Sequence, residues 1–291
     1  MAFYSYQSNR LEMLADRLAD LLGQPLRSPL AREVVVTPGT GLARWLGLRL
    51  AERLGVCANV GFQLPATFLW TMARTVLRHL PPTSNFDRPV LHWRLMALLQ
   101  DVEDTPCFAP VRAYLGDGRD EFRRYELAGR IADCFDQYLV YRPDWISRWE
   151  AGQEDHWQAE LWRRLARGGE AHRVRVQARF HARLTSGDFD RRQLPERVSV
   201  IGVSALPPLD VELLAALAQH IDIHLFLLNP CQEYWGDIQA ERDLARLGEE
   251  VDPDEAYLTV GHPLLASLGK QGRDFIDLLN AWPRVEWDGF V

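Results

Sequence analysis

The stretch that decides the fold reads Glu33-Val-Val-Val-Thr-Pro-Gly-Thr-Gly-Leu-Ala-Arg-Trp-Leu-Gly-Leu-Arg-Leu-Ala-Glu-Arg-Leu54. A β-branched run, Val34 to Val36, leads into a turn over 37–41 that holds a proline and two glycines. The spacing that follows predicts an amphipathic helix over 42–54, with one apolar face formed by Leu42, Trp45, Leu46, Leu50 and Leu54. Strand, turn and helix have the outline of a phosphate-binding loop, because N–H groups at a helix start can hold a phosphate.

This loop lacks the side chains that ATP chemistry needs. Lys270 is the only lysine of the chain, so no Gly-Lys-Ser/Thr exists to reach the phosphates and bind magnesium. We therefore expect the turn to bind a phosphate backbone and not to support ATP hydrolysis. We expect no cofactor or metal in this chain.

Composition narrows the class of protein. A chain of 291 residues that is 47% hydrophobic buries a sizeable core, as one large domain or two smaller ones. A net charge of −7 argues against a uniformly basic nucleic-acid-binding surface. The four cysteines are far apart without Cys-x-x-Cys spacing, which argues against disulfides and zinc. No apolar run is long enough for a membrane span, and the N-terminus lacks a signal-peptide pattern, so we expect a cytoplasmic protein.

Outward from the opening stretch, both ends of the chain have α/β patterns and the middle is helical. Strands are predicted at 3–6, 34–36, 60–64, 198–203 and 221–228. Helices are predicted after a Ser8–Asn9 N-cap, and at 42–54, 66–80, 91–101, 119–140, 158–167, 174–185 and 211–220. The strand–helix–strand order after Arg197 indicates a parallel sheet. We predict an α/β domain from 1–85 and 195–291, interrupted by a helical insert over 86–194.

Several strings resemble one protein family, the gamma subunit of exodeoxyribonuclease V (RecC), in its N-terminal part. They are Ser8–Leu11, Thr40–Leu46, Leu64–Trp70, Asp136–Trp145, Gly202–Pro208, Asn229–Ile238 and Gly261–Asp274. The resemblance covers essentially the whole chain. Family members are several times longer, so the chain is expected to be an N-terminal fragment or a truncated protein.

The resemblance implies a fold similar to a superfamily 1 helicase core that has lost its ATPase site. The implied architecture is a three-layer αβα sheet domain (1A-like, split over 1–85 and 195–291) with a 1B-like helical insert at 86–194. Gln7-Ser8-Asn9-Arg10 stands where a working helicase has its phosphate-binding loop. Gly202-Val203-Ser204 stands where magnesium-binding acidic residues end a strand. The turn at 37–41 then matches helicase motif Ia, which touches single-stranded DNA.

The function implied by the resemblance is that of a DNA-binding scaffold. Such a subunit joins the beta and alpha subunits in a heterotrimer, splits the duplex end and scans single-stranded DNA for the Chi sequence during recombinational repair of double-strand breaks. ATP and Mg²⁺ are expected only in the partner subunits. Two alternatives remain: a module that only docks partner subunits, and an active ATP-dependent helicase or nuclease.

The resemblance also carries over DNA-binding positions, namely Pro38, Thr40, Arg44, Leu64, Trp70, Asp133, Asp136, Arg142 and Arg179. Arginine suits phosphate and base contacts, an aromatic ring stacks on a base, and a carboxylate accepts from base amino groups. Pro38 and Arg44 replace glutamines of the family pattern, which leaves the recognised DNA sequence open.

Each of these positions also has a structural explanation. Trp70 suits a core as well as a stacking platform. Asp133 and Asp136 suit a metal or acid–base site, or a role in neutralising Arg130 or Arg142. Arg142 is also suited to capping a helix end, and Arg179 belongs to a row with Arg175 and Arg183 that is either a solvated face or a phosphate track.

Overall fold

The computed structural model describes residues 2–28, 30–100, 102, 105–116, 120–169, 171–239 and 259–290. The chain divides into two compact units: Met1–Met72 with Asp188–Val291, called here the sheet unit, and Ala73–Gly187, called the helical unit. The assignment of 1–85 and 195–291 as a helicase-like domain, and of 86–194 as its insert, stays a prediction. Within the described ranges, none of the helices combines the length and the apolar character that a membrane span requires.

The described strands follow the pattern of a parallel α/β protein. In chain order they are β1 (Phe3–Ser8), β2 (Glu33–Val36), β3 (Val60–Gln63), β4 (Arg197–Ile201), β5 (Asp222–Leu228), β6 (Ile238–Gln239), β7 (Thr259–Val260) and β8 (Val285–Asp288). Six of them form one sheet in the order β3-β2-β4-β5-β1-β8, and all its neighbouring pairs are parallel. β6 and β7 form a separate parallel pair. The predicted parallel α/β sheet is confirmed.

Twelve α-helices occur in the described residues. They are α1 (Leu11–Leu22), α2 (Thr40–Leu54), α3 (Pro65–Val76), α4 (Arg88–Leu98), α5 (Ala109–Leu115), α6 (Glu121–Tyr141), α7 (Pro143–Glu150), α8 (Trp157–Ala166), α9 (Arg173–Ser186), α10 (Pro208–Ala218), α11 (Pro263–Leu268) and α12 (Lys270–Asn280). Short 3₁₀ turns lie at Pro106–Phe108 and Arg191–Gln193.

Helices cover both faces of the large sheet. Val35 of β2 and Ile201 of β4 belong to the core that α1 and α2 share with one face. Val36 and Val200, their chain neighbours, face α3 and α10 on the other side. Successive side chains of a strand point to opposite faces, so a strand covered on both sides needs a continuous apolar run such as Val34–Val36.

The helical unit has a core of its own, built on large aromatic side chains. The Phe135 and Trp162 rings meet edge to face with centroids 5.4 Å apart, and Phe86 lies 5.3 Å from Trp162. Trp149 lies 6.1 Å from Phe135, and all four side chains are buried. Each such side chain stabilises the fold by about 1.5–3 kcal/mol relative to an exposed one. The described residues of this unit form helices and turns without a strand.

One local prediction is wrong. Ser8–Asn9 does not cap α1, because β1 continues to Ser8, which pairs with Leu228 of β5 and is buried. Ser8, which was expected to cap the helix, is therefore part of the sheet. The N-cap residue is Arg10, and its N–H donates to Ser8 Oγ at 3.1 Å.

Other differences concern ends and short elements. Positions 101 and 119, the end of one predicted helix and the start of another, lie outside the described residues. The strand predicted at 198–203 ends at Ile201, because Gly202 adopts a left-handed φ of +72°. Leu54 was expected on the apolar face of α2 but is exposed at the end of the helix. The pattern also gave no strand or helix for α5, α7, α11, α12, β6, β7 and β8. β8 is an edge strand with largely exposed side chains.

Candidate functional site

The carboxyl ends of β2 and β4 lie side by side at a topological switch point of the sheet. β2 continues into α2, which packs on one face, and β4 leads to α10 on the other face. Ligands of parallel α/β proteins bind in the crevice outside the strand ends at such a point, because the connecting chains diverge there. The turn at 37–41 therefore occupies the expected ligand-binding edge.

The backbone of this turn presents the start of α2 to solvent. Thr37 is buried, and its N–H donates to the Gln63 carbonyl oxygen at 2.9 Å. Gly39 is the N-cap residue in an extended conformation (φ −170°, ψ 166°) and offers no side chain to accept from the first N–H groups of the helix. Those N–H groups and the positive end of the helix dipole suit an anion such as a phosphate.

Gly202 brings the end of β4 against this turn. A Cβ at Gly202 would lie 2.3 Å from Leu42 Cδ2 and 3.9 Å from Pro38 Cδ, so the close approach depends on glycine. Ser204, two residues farther, is exposed at the same edge. The candidate site therefore includes the 202–204 segment, which the sequence indicated only as a lost magnesium site.

Arg44 lies on α2, one helical turn beyond Thr40. Its side chain is exposed, and no hydrogen bond or ion pair engages it among the described residues. Farther along the same helix, Arg49 and Arg53 form ion pairs with Asp16, and Arg53 also reaches Asp20. Arg44 is therefore available to an external anion, while the other two arginines are engaged in surface pairs.

Of the other predicted residues of the sheet unit, Pro38 and Thr40 are exposed at the turn. Leu64 follows β3, the neighbour of β2, and is exposed at the same edge. Trp70 is half-buried on α3, so part of its ring packs inside and part faces solvent. The structure thus brings Pro38, Thr40 and Leu64 to the edge that also carries Arg44.

The remaining predicted residues belong to the helical unit. Asp133 of α6 forms an ion pair with Arg88, so the arginine that it neutralises is neither Arg130 nor Arg142, the two considered from the sequence. Asp136 is exposed one turn later. Desolvation in its surroundings raises the pKa of its carboxyl, as do Asp133 and Asp87, while Arg173 and Arg88 oppose the shift.

Arg142 and Arg179 differ in their surroundings. Arg142 joins α6 to α7 as the C-cap residue of one helix and the N-cap residue of the next, with its guanidinium 5.5 Å from the Trp145 ring centroid. Arg179 is exposed on α9 without a hydrogen bond or ion pair in the described part of the chain, whereas Arg175 pairs with Glu150 at 2.9 Å. Among the described residues no group of three or more metal-ligating side chains occurs.

A hydrogen-bonded cluster that sequence reasoning missed lies where β1 leads into α1. Asn229 Nδ2 donates to Gln7 Oε1 at 2.8 Å, and Trp235 Nε1 donates to Asn229 Oδ1 at 2.9 Å. The buried Arg273 lies 5.9 Å from the Trp235 ring centroid and donates to the carbonyl oxygens of Leu265 and Ala266. The string Asn229–Ile238 stood out in the sequence as part of the family resemblance. It did not indicate this cluster, because Gln7 and Arg273 are far away in sequence.

Comparisons with known proteins agree over nearly the whole chain. The family described as RecC, N-terminal domain, matches residues 3–290. A protein of Escherichia coli (strain K12) described as RecBCD enzyme subunit RecC is 37% identical over 98% of this chain and 29% of its own length. Proteins of the same description from Haemophilus influenzae and Mycolicibacterium smegmatis are 33% and 34% identical, over 95% and 100% of this chain and 30% and 26% of their own lengths. The chain thus spans less than a third of the length of these relatives. A match of this extent shows that the chain belongs to the RecC family and corresponds to its N-terminal domain.

Proposed function

We propose that this chain is a non-catalytic, DNA-binding and scaffold part of a RecBCD-type helicase–nuclease that acts in recombinational repair of double-strand breaks. Its relatives are described as subunits of the RecBCD enzyme. On this proposal the partners are the beta and alpha subunits of exodeoxyribonuclease V, ATP and Mg²⁺ are bound by those subunits, and the complex works in the cytoplasm.

The observation that carries the DNA-binding role is Arg44, exposed and unpaired among the described residues at the start of α2. The first N–H groups of the helix and a nearby guanidinium form two independent attractions for a phosphate. Pro38, Thr40 and Leu64 extend this edge with groups for sugar and base contacts. This combination suits a strand that passes along the edge of the sheet.

Scanning for a Chi-like sequence requires base contacts in addition to phosphate contacts. Trp70 offers part of a ring for stacking, and Asp136 offers an exposed carboxylate that accepts from base amino groups. Arg142 and Arg179 are exposed cations of the helical unit. We assign Asp133 a supporting role, because Arg88 already engages its carboxylate.

The non-catalytic role is supported by the two segments that stand in place of ATP-binding motifs, Gln7–Arg10 and Gly202–Ser204. Asn229 is hydrogen-bonded to both Gln7 and Trp235 beside the link between β1 and α1, where a phosphate loop would need open N–H groups. The segment after β4 is Gly202-Val203-Ser204, which has no carboxylate for magnesium.

Salt-dependent binding of a fluorescein-labelled oligothymidylate tests the DNA-binding role. We expect Arg44→Ala to weaken binding severalfold and to reduce the slope of log K against log salt by about 0.7, the value for one phosphate on a single strand. Fluorescence anisotropy at several salt concentrations measures both quantities. A mixed-sequence oligonucleotide should show the same loss, because a phosphate contact acts on any sequence.

Arg53→Ala is the matched control, since it removes an exposed arginine from the last turn of the same helix. Arg53 is engaged by Asp16 and Asp20, so its loss should leave DNA binding unchanged. If the unaltered chain binds the partner subunits but shows no salt-dependent binding of single strands, it is a docking module and the DNA-binding role is wrong.

A further inference from the structure

Three large aromatic side chains form an exposed cluster on the helical unit, called here the aromatic face. Trp93 of α4 is 65% exposed, and Phe122 and Tyr125 of α6 are 70% and 43% exposed. The Trp93 and Tyr125 ring centroids are 5.9 Å apart. Phe122 lies one helical turn before Tyr125, on the same side of α6. Contiguous exposed apolar surface of this kind marks an interaction site more often than a free surface.

The aromatic face is held in a defined arrangement by His92. The His92 ring stacks on Trp93 with an interplanar angle of 19° and lies 4.4 Å from the Tyr125 ring centroid. His92 Nε2 lies 3.0 Å from the Tyr125 carbonyl oxygen. Gly129 leaves room for this ring, since a Cβ there would lie 3.3 Å from His92 Cε1. Side chains that are already ordered lose little entropy when a partner binds.

The charges around the aromatic face are largely engaged within the unit. Arg88 pairs with Asp133, Arg94 donates to the Asn85 and Leu165 carbonyl oxygens, and Arg123 pairs with Asp120 and donates to the Tyr114 carbonyl oxygen. Glu126 and Arg130, one turn apart on α6, add one charge of each sign. Nucleic-acid binding needs cations that are available to phosphates. Exposed Trp, Tyr and Phe side chains whose surrounding charges are mostly paired instead have the composition of a protein–protein hot spot.

We propose that the aromatic face is a docking surface for a partner protein that presents an uncharged, aliphatic patch. That this partner is a subunit of the same helicase–nuclease rests on the function proposed above. The aromatic face is then separate in role from the 37–41 turn. One surface holds a protein, and the other holds DNA.

The double variant Trp93→Ser with Phe122→Ser tests this assignment. The intact chain, the variant and a control are each titrated with the purified beta and alpha subunits from the same organism, using biolayer interferometry. We expect the variant to bind one of these subunits about tenfold more weakly or worse, as for loss of an aromatic hot spot. Both side chains are mostly exposed, so circular dichroism and thermal unfolding should match those of the intact chain.

Val56→Ser is the matched control, because Val56 is a 64% exposed apolar residue just after α2 in the sheet unit. It should leave subunit binding unchanged, and neither variant should alter the affinity for oligothymidylate. Unchanged subunit affinity of the double variant overturns the docking surface and leaves the proposed function standing. Loss of oligothymidylate binding would instead assign the face to DNA and overturn the inference. If the intact chain binds neither subunit, the proposed scaffold role fails and the docking surface fails with it.

Discussion

Gly202 illustrates how one residue positions the candidate site. Its φ of +72° lies in the left-handed region, which glycine adopts without the steric cost that a Cβ brings. The space beside it is filled by Leu42 of α2, whose Cδ2 would lie 2.3 Å from an added Cβ. Backbone conformation and packing therefore both require glycine where β4 meets the start of α2.

Gly202→Ala should lower the free energy of unfolding by more than about 1 kcal/mol, because alanine is strained at this φ and its Cβ displaces Leu42. Urea unfolding monitored by tryptophan fluorescence measures the change. It should also weaken binding of oligothymidylate, since Leu42 belongs to the first turn of α2.

The control is Gly41→Ala, which lies in the first turn of α2 with nothing within 4 Å of an added Cβ. Alanine is the better helix former, so this variant should be neutral or stabilising by up to about 1 kcal/mol. Equal stability of the two variants would contradict the role assigned to Gly202.

At the scale of elements, Glu150 joins three helices of the helical unit. It ends α7, and its Oε1 accepts from Trp162 Nε1 of α8 at 3.1 Å. His172 Nε2, at the N-cap of α9, lies 2.7 Å from the same oxygen, and Arg175 Nε donates to Oε2 at 2.9 Å. An ionised carboxylate only accepts, so all three partners hold it in its charged form.

This arrangement predicts a pH-dependent stability. Burial alone raises the pKa of the Glu150 carboxyl, but the hydrogen bonds from His172, Trp162 and Arg175 and the charge of His172 outweigh it, and the pKa is lowered from 4.5. The stabilisation is therefore present above about pH 4.5, and it is lost as the pH falls through the lower pKa of the folded state.

Glu150→Gln should cost about 1–3 kcal/mol at neutral pH, because charged hydrogen bonds are replaced by neutral ones. The difference from the intact chain should shrink as the pH falls below 4.5, the ordinary pKa of the group. Urea unfolding over a series of pH values measures this.

Asp144→Asn serves as the control, since the contact of Asp144 within the described residues is an exposed pair with Arg148 at 3.4 Å. Its effect should stay within about 0.5 kcal/mol at any pH. A pH-independent difference between Glu150→Gln and the intact chain would contradict the electrostatic account.

Elements also show where sequence patterns have limits. The helix predicted at 119–140 matches α6, because 21 residues with a repeated apolar stripe leave few alternatives. By contrast, α7 has eight residues and begins at Pro143, immediately after Arg142. In the sequence, this proline suggested the end of α6 and not the first residue of a new helix. Short elements depend on the core that they join, here through the buried Ile146 and Trp149.

At the scale of the whole molecule, residues distant in sequence meet where β1 leads into α1. Gln7 is the penultimate residue of β1, Asn229 follows β5, Trp235 lies beyond it, and Arg273 comes from α12. Their hydrogen bonds and ring contact fill the space beside the end of β1 with side chains.

We therefore predict that the purified chain neither binds nor hydrolyses ATP. Isothermal calorimetry with ATP and Mg²⁺ should give no binding heat, because neither Gln7–Arg10 nor Gly202–Ser204 contains a lysine or an acidic residue. Oligothymidylate in the same calorimeter is the positive control for an active preparation. Micromolar affinity for ATP would contradict the non-catalytic role.

The sequence by itself determined the class of the fold and the family. Apolar runs such as Val34–Val36, and the leucine spacing of α1, are local signals, because strand and helix periods place neighbours in sequence on defined faces. The single lysine at position 270 argued against ATP chemistry without any coordinates. The strings shared with the RecC family needed no structure either.

Only the tertiary structure decided which side chains are available. Arg44, Arg49 and Arg53 lie on one helix and read alike in sequence, but only the last two meet Asp16 on α1. Ser8 became part of β1 because β5, more than two hundred residues later, pairs with it. The aromatic face likewise depends on the packing of α4 against α6. Such contacts join residues that are far apart in the chain. Whether they form therefore depends on how the elements pack and not on the local sequence pattern.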